Sequence, residues 1–181
     1  MNQAKAFSTR DIVYTGMFVV LIAICSWISI PTAVPFTLQT FAVFMAVLVL
    51  GGKKGTLAVI VYLILGAAGM PVFSHFTGGF GILAGSTGGY LFGFVLTAVI
   101  MWVMEPVGRG KPWIRILSML IGLAACYTVG TIWFMAVYGR STGPITVMTA
   151  LGWSVFPFVI PDLIKIGLAY TLSPVLRKAI A

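Results

Sequence analysis

Asp162 and Lys165 are the residues of this sequence best suited to chemistry, because they are charged and lie in an otherwise apolar stretch. They are three positions apart, so a helix would project both from one face. Ionisable groups in a membrane segment are costly and by default indicate a functional site. A carboxylate beside an ammonium could orient a ligand that has both N–H donors and an acidic group. The alternative is helix capping: Pro161 would start a helix, Asp162 would meet the positive end of its dipole, and Lys165 would neutralise it.

A glycine-rich segment at residues 76–90 is the second candidate for ligand contact. Glycine lets the backbone approach closely either a ligand or another helix. Non-helical backbone at membrane depth is tolerated where it is buried in protein or lines a cavity. The segment therefore predicts either the rim of a pocket or a tight re-entrant connection without a ligand.

Residues for enzymatic catalysis are scarce. The sequence has one histidine and three acidic residues, whereas a metal hydrolase or a membrane protease needs several ligands or a nucleophile with its base. The segment Gly51–Thr56 lacks the spacing of a phosphate-binding loop. Cys25 and Cys126 are expected to be apolar packing residues. We therefore expect no enzymatic activity, no cofactor and no metal site.

The distribution of charge predicts an integral membrane protein. Hydrophobic residues make up 60% of the sequence and charged residues only 8%, which is far from the balance of a soluble domain. Uncharged stretches cover residues 12–52, 55–104, 116–139 and 141–161. Because one membrane-spanning helix needs about 20 residues, the first two stretches are each expected to hold two helices.

Turn residues divide these stretches into six predicted transmembrane helices at residues 12–30, 36–51, 55–72, 89–104, 115–138 and 146–176. Pro31 and Pro35 separate the first two helices, and the glycine-rich segment separates the third from the fourth. The sixth is too long for one straight crossing, so Pro157 and Pro161 should kink it or split off an outer segment. The prediction is a single all-α membrane domain over residues 1–181.

Loop charges predict the orientation of this domain. Cations at the termini and in the second and fourth loops would share one face of the membrane: Lys5, Arg10, Lys53, Lys54, Arg109, Lys111, Arg115, Arg177 and Lys178. The opposite face carries only Arg140. By the positive-inside rule both termini are predicted to be cytoplasmic. The net charge of +8 is thereby accounted for without nucleic acid as a partner.

Four segments of the chain, in order, resemble motifs of the BioY family: Val34–Thr40 (VPFTLQT), Leu65–Phe73 (LGAAGMPVF), Gly85–Leu91 (GSTGGYL) and Pro161–Lys165 (PDLIK). That family supplies the biotin-binding S component of energy-coupling factor (ECF) transporters. The resemblance runs from the first predicted helix to the last. It implies an S-component fold of six helices, with biotin held near the outer face under the loop that joins the first two.

The same resemblance implies roles for particular residues. Asp162 would accept from a ureido N–H of biotin and Lys165 would pair with the carboxylate, although which of the two meets which end stays open. The other implied substrate-binding residues are Tyr90, which would pack on or bond to the ligand, and Gln39, Thr37 and Phe36, which would serve the capping loop. Phe80 and Thr87 of the glycine-rich segment are secondary candidates.

The implied partners are a membrane coupling subunit and two ATPase subunits, in addition to biotin and the lipid bilayer. The implied location is the cell membrane, which the chain would cross several times. Two other functions stay open. An S component for a different vitamin would share the fold, and a membrane scaffold or channel would need no small-molecule ligand.

Overall fold

The chain folds into a bundle built almost entirely of α-helices, seen here in a computed structural model. The structure describes residues 8–32, 34–108 and 111–180. The helices are α1 (Thr9–Trp27), α2 (Gln39–Leu50), α3 (Gly52–Ala67), α4 (Phe80–Ala84), α5 (Gly88–Met104), α6 (Pro112–Thr142), α7 (Val147–Ser154) and α8 (Phe156–Ile180). Strands β1 (Ser29–Ile30) and β2 (Phe36–Thr37) form an antiparallel ribbon between α1 and α2. The predicted all-α fold class is confirmed.

Helix α2 forms the centre of the bundle. Ala42, Val43, Phe44, Met45 and Ala46 are each at most 1% exposed, so the helix is buried on all its sides. A helix that is apolar all round is one that other helices surround, and α2 packs against α1, α3, α5 and α8. Residues near the start of α2 are thereby held inside the protein.

The outer helices present apolar side chains outward. On α1 these include Ile12, Val13, Met17, Val20 and Ile24. Within the described residues, three helices, α1, α6 and α8, are long and apolar enough to cross a bilayer, and α2 and α5 are shorter apolar helices. Such surfaces suit lipid as the solvent. Six crossings remain a prediction.

The ribbon replaces residues that were expected to be helical. The structure ends α1 at Trp27 and begins α2 at Gln39, whereas the predicted helices cover residues 12–30 and 36–51. The Thr37 side-chain oxygen accepts from the Gln39 N–H at 3.2 Å, a local contact that competes with helix formation. Strands of two residues leave no periodicity in the sequence, so composition alone could not reveal them.

The last predicted helix is divided in the structure. The break lies at Val155, whose φ is −129° and ψ −58°, and Pro157 is the second residue of α8, where a missing N–H has no cost. Pro161 lies inside α8, not at its first position. Asp162 is therefore beyond the first turn, outside the reach of the positive end of the helix dipole. The helix-capping alternative for Asp162 is wrong.

Polar contacts bring several helix ends together at one end of the bundle, which we call the basic end. Asp11 near the start of α1 forms an ion pair with Lys54 near the start of α3. The Glu105 carboxylate, just after α5, accepts from the N–H of Gly52 at 2.8 Å. The starts of α1 and α3 and the end of α5 thus lie together.

The two ends of the described chain also meet at the basic end. The Arg10 guanidinium donates to the carbonyl of Ile180, the last residue of α8. Lys5 and Arg109, which belong to the predicted cytoplasmic cations, lie outside the described residues. Arg140 lies near the end of α6 that is remote from its basic start. The side of the membrane that the basic end faces remains a prediction.

Cysteine labelling in intact cells tests this orientation. Ser141→Cys should react with a membrane-impermeant maleimide, whereas Lys178→Cys should react only after the cells are permeabilised. The native Cys25 and Cys126 are both buried, so we expect little background. Labelling of Lys178→Cys but not Ser141→Cys in intact cells would contradict the predicted topology.

Candidate functional site

Asp162 and Lys165 form a buried ion pair on one face of α8. The Asp162 Oδ1 atom lies 2.7 Å from Lys165 Nζ, and the two residues are 2% and 4% exposed. Removing both ions from a polar solvent is costly, and their attraction offsets this only when further hydrogen bonds satisfy both groups. The surrounding elements therefore have to supply those bonds.

Residues of three elements accept hydrogen bonds from the Lys165 ammonium. Its Nζ donates to the backbone carbonyl of Thr37 in β2 at 2.7 Å and to Thr40 Oγ1 in α2 at 3.2 Å, besides its bond to Asp162. The ring centroid of Phe36 lies 4.4 Å from Nζ, a distance at which the ring attracts a cation. An ammonium has three N–H donors, so every hydrogen on Nζ has an acceptor.

Asp162 receives hydrogen bonds from two other helices. Thr40 Oγ1 in α2 donates to Oδ1 at 2.9 Å, and the Tyr127 hydroxyl in α6 donates to Oδ2. Together with Lys165, this gives Oδ1 two donors and Oδ2 one. Because each carboxylate oxygen can accept about two hydrogen bonds, Oδ2 retains room for one further donor.

Two small cavities of about 50 Å³ each lie in this region, and the pair itself lines the first of them. The first, the pair cavity, is lined by Val34, Pro35, Thr37, Thr40, Tyr90, Phe94, Cys126, Tyr127, Ser154, Phe158, Asp162 and Lys165. The second, the ribbon cavity, shares Val34, Pro35, Thr37, Tyr90 and Phe94 with it and adds Gln39, Phe73, Ser74, Ile82, Thr87 and Leu91. A ligand that extended through both would be bounded by one continuous set of walls.

Tyr90 forms part of the wall between the cavities, and α6 fixes its position. Its hydroxyl lies 3.1 Å from Thr131 Oγ1, so this buried polar group has a partner. A Cβ atom on Gly130 would lie 2.2 Å from the Tyr90 ring. Only glycine at this position lets the ring pack against the backbone of α6.

Two aromatic side chains pack beside Lys165: Phe158 lines the pair cavity, whereas Phe36 lines neither cavity. The rings of Phe36 and Phe158 are stacked, with centroids 5.7 Å apart and an interplanar angle of 18°. Phe36 thus contacts both the ammonium of Lys165 and the Phe158 ring. The site combines one buried charge pair with a largely aromatic surround, the usual composition of a small-molecule pocket.

Of the remaining predicted residues, two line the ribbon cavity and one lies outside both cavities. Gln39 is 3% exposed and donates to the Tyr62 hydroxyl at 2.9 Å, and it lines the ribbon cavity with Thr87. Phe80, at the start of α4, is 71% exposed and lines neither cavity. The glycine-rich segment therefore reaches the ribbon cavity through Thr87 and Ile82.

Sequence reasoning named four of the residues that line the pair cavity and missed the others, among them Thr40, Phe94, Tyr127 and Phe158. Phe158 precedes Asp162 by four positions, and that spacing on one helix could have identified it. Thr40 belongs to the resembling segment Val34–Thr40 but was assigned no role. Tyr127 lies within the apolar run of α6, where nothing distinguishes it from a packing residue.

Comparison with known proteins places the chain among biotin transporters. The sequence profile of the BioY family matches residues 1–181. The "Biotin transporter BioY" of Thermotoga maritima is 41% identical over 170 residues, which are 93% of this chain and 96% of that protein. The "Probable biotin transporter BioY" of Pyrococcus horikoshii is 38% identical over 165 residues, or 91% and 94% of the two chains.

A solved structure of a similar protein has the same fold as this chain. It is described as the S-component for biotin from an ECF-type ABC transporter, and it superposes on this chain with a TM-score of 0.84 at 25% sequence identity. The match covers 96% of this chain and 95% of that chain. The expected S-component fold is confirmed.

Removing one member of the ion pair should destabilise the protein more than removing both. Asp162→Asn leaves the Lys165 ammonium buried without a counter-ion, which typically costs about 3 to 5 kcal/mol. Asp162→Asn combined with Lys165→Met should recover most of that loss. Thermal unfolding of the purified protein in detergent, followed by tryptophan fluorescence, measures the difference.

Asp11→Asn is the control, because it removes an ion pair that is partly exposed and should leave stability almost unchanged. If the double variant lost as much stability as Asp162→Asn and Lys165→Met lose separately when their losses are added, Asp162 and Lys165 would not be coupled.

Proposed function

The chain belongs to the BioY family, and on this basis we propose that the Asp162–Lys165 pair holds the ureido ring of biotin. The chain serves biotin uptake as an S component. The observation that carries the proposal is the 2.7 Å contact between the two buried charges at the wall of the pair cavity.

The ureido ring suits a donor and an acceptor that stand side by side. It presents N–H groups next to a carbonyl oxygen, while the pair presents a carboxylate oxygen 2.7 Å from an ammonium. Asp162 would accept from an N–H, and Lys165 would donate to the carbonyl. Hydrogen bonds to charged partners are about twice as strong as neutral ones.

The carboxylate of biotin suits this pair less well. The ureido ring and the carboxylate are at opposite ends of biotin, so a pair of adjacent atoms meets only one end. A ligand carboxylate at Lys165 would lie beside the Asp162 carboxylate, and like charges repel strongly in a desolvated site. We therefore assign the neutral ureido end to both residues. The resemblance alone suggested that Lys165 pairs with the carboxylate.

Hydrogen-bond capacity supports the same orientation. Asp162 Oδ2 has room for one more donor, so it can accept a ureido N–H without losing Tyr127. All three hydrogens of Lys165 are in use, so a bond to the ureido carbonyl has to replace one of them. The Thr37 carbonyl is the acceptor to be replaced, because it belongs to the short ribbon and not to a helix.

Displacement of the ribbon would also make room for the fused rings of biotin. Each cavity measures about 50 Å³, room for only a few water molecules at roughly 10 to 15 Å³ of such volume for each. The fused rings of biotin are larger than that. Release of Thr37 from Lys165 lets β2 move outward and joins the two cavities.

The other walls suit the rest of biotin. Tyr90, Phe94 and Phe158 offer apolar surface to the fused rings and their thioether. The tail would extend into the ribbon cavity towards Gln39 and Thr87.

We propose that energy for uptake comes from other chains: a membrane coupling subunit and two ATPase subunits. The sequence offers no phosphate-binding loop of its own. The similar solved structure is described as part of an ECF-type ABC transporter. The assembly would lie in the cell membrane, with the apolar outer helices in contact with lipid.

Lys165→Met should weaken biotin binding about 30-fold to several-thousand-fold, because losing one partner of a buried charged hydrogen bond costs about 2 to 5 kcal/mol. Comparison with biotin amide, which lacks the tail carboxylate, then identifies the end that Lys165 meets. If it meets the ureido ring, the effects of the variant and of the amide should add, because they concern separate contacts. Isothermal titration of the purified protein measures all four affinities.

Lys178→Met, at an exposed lysine near the end of the same helix, is the control and should bind biotin normally. If the amide weakened binding to wild type but not to Lys165→Met, Lys165 would hold the carboxylate. Unchanged biotin affinity in folded Lys165→Met would remove this lysine from the site.

Proteoliposomes test the need for partners. The chain alone should bind biotin without accumulating it, and ATP should drive accumulation only when the coupling and ATPase subunits are present. Radiolabelled biotin retained inside the vesicles is the measurement. ATP hydrolysis or uphill uptake by the chain alone would contradict the proposal.

A further inference from the structure

A separate cavity of about 270 Å³ lies at the basic end of the bundle, where α2, α5, α6 and α8 meet. Its polar wall includes Arg115, Arg177 and Glu105, and its apolar wall includes Val47 and Met101. This cavity is distinct from the biotin site. Ser173, another lining residue, follows Asp162 by eleven positions on α8, or about 17 Å along the helix.

The charges around this cavity are unbalanced. Neither Arg115 nor Arg177 forms a salt bridge with any residue in the ranges that the structure describes. Glu105 is the one acidic residue among the lining residues, and its carboxylate already accepts from the Gly52 N–H at 2.8 Å. Two guanidiniums are therefore left facing a space with no carboxylate committed to them.

The start of α6 adds to the positive potential. Arg115 is the fourth residue of this helix, and the N-cap residue makes no side-chain hydrogen bond to the N–H groups of the first turn. The N-terminal end of a helix carries a partial positive charge, so a cation there is repelled and an anion is attracted. An anion in the cavity would relieve this repulsion.

We propose that this cavity binds the phosphate group of an anionic phospholipid. Guanidinium groups bind phosphate oxygens in a bidentate manner. Arg115 and Arg177 lie within a turn of the ends of α6 and α8, the level at which lipid headgroups meet a membrane protein. The apolar wall formed by Val47, Met101 and Met104 suits the first carbons of an acyl chain. Basic pockets between membrane helices bind anionic headgroups in this way.

Native mass spectrometry of the full-length protein in detergent tests the proposal with three probes: phosphatidylglycerol, phosphatidylcholine with the same acyl chains, and inorganic phosphate. Wild type should retain phosphatidylglycerol in preference to phosphatidylcholine. Arg115→Gln with Arg177→Gln should weaken phosphatidylglycerol binding about 30-fold, from roughly a fivefold loss for each arginine near an anionic lipid.

Lys111→Gln with Lys178→Gln removes the same total charge from the same end of the bundle, outside the lining of the cavity, and should change the affinity much less. An equal loss in both double variants would overturn the site in favour of general surface attraction. Binding of inorganic phosphate with the same dependence on the two arginines, without preference for phosphatidylglycerol, would overturn the lipid assignment. Far-UV circular dichroism checks folding, and Arg177→Gln alone replaces the double variant if that variant unfolds.

Discussion

The buried ion pair between Asp162 and Lys165 determines how several other elements have to be arranged. Two charges at 2% and 4% exposure are tolerable only when every donor and most acceptors are satisfied. The required partners come from β2, α2 and α6. The carbonyl of Thr37, the hydroxyl of Thr40 and the hydroxyl of Tyr127 therefore have to converge on one face of α8, and this fixes the positions of those elements relative to it.

This arrangement also prepares the protein for its ligand. The cost of burying both charges is met when the protein folds, so the ligand finds a donor and an acceptor already desolvated and oriented. Lys165 has no free hydrogen, and Asp162 Oδ2 has one free acceptor position. On the proposed orientation, a neutral ligand end with both N–H and carbonyl groups would bind Asp162 at once but would bind Lys165 only after Thr37 is released. Ligand binding would in this way be coupled to movement of the ribbon.

The parts of this site that the sequence predicted are those that stand out against an apolar background. A carboxylate or an ammonium in a membrane segment is conspicuous, so Asp162 and Lys165 were evident from their type and spacing, and the helices followed from the charge-free stretches. Thr40 and Tyr127 were not evident. Their hydroxyl groups reach the ion pair only because α2 and α6 pack on α8, and nothing in the sequence marks that packing. The ribbon was missed because strands of two residues carry no pattern, and Phe80 was named although it is exposed and lines neither cavity.

Close packing of α5 on α6 explains why a membrane protein of this kind needs so many glycines. In lipid, apolar burial gives little net drive for helices to associate, so they depend on small residues that let their backbones approach. A Cβ atom on Gly93 would lie 2.7 Å from Cys126 Sγ, and one on Gly130 would lie 2.2 Å from the Tyr90 ring. The same contacts carry Tyr90 to the wall of both cavities and keep Tyr127 of α6 within reach of Asp162. The glycines that hold the two helices together therefore also set the shape of the pocket, although none of them contacts the charge pair.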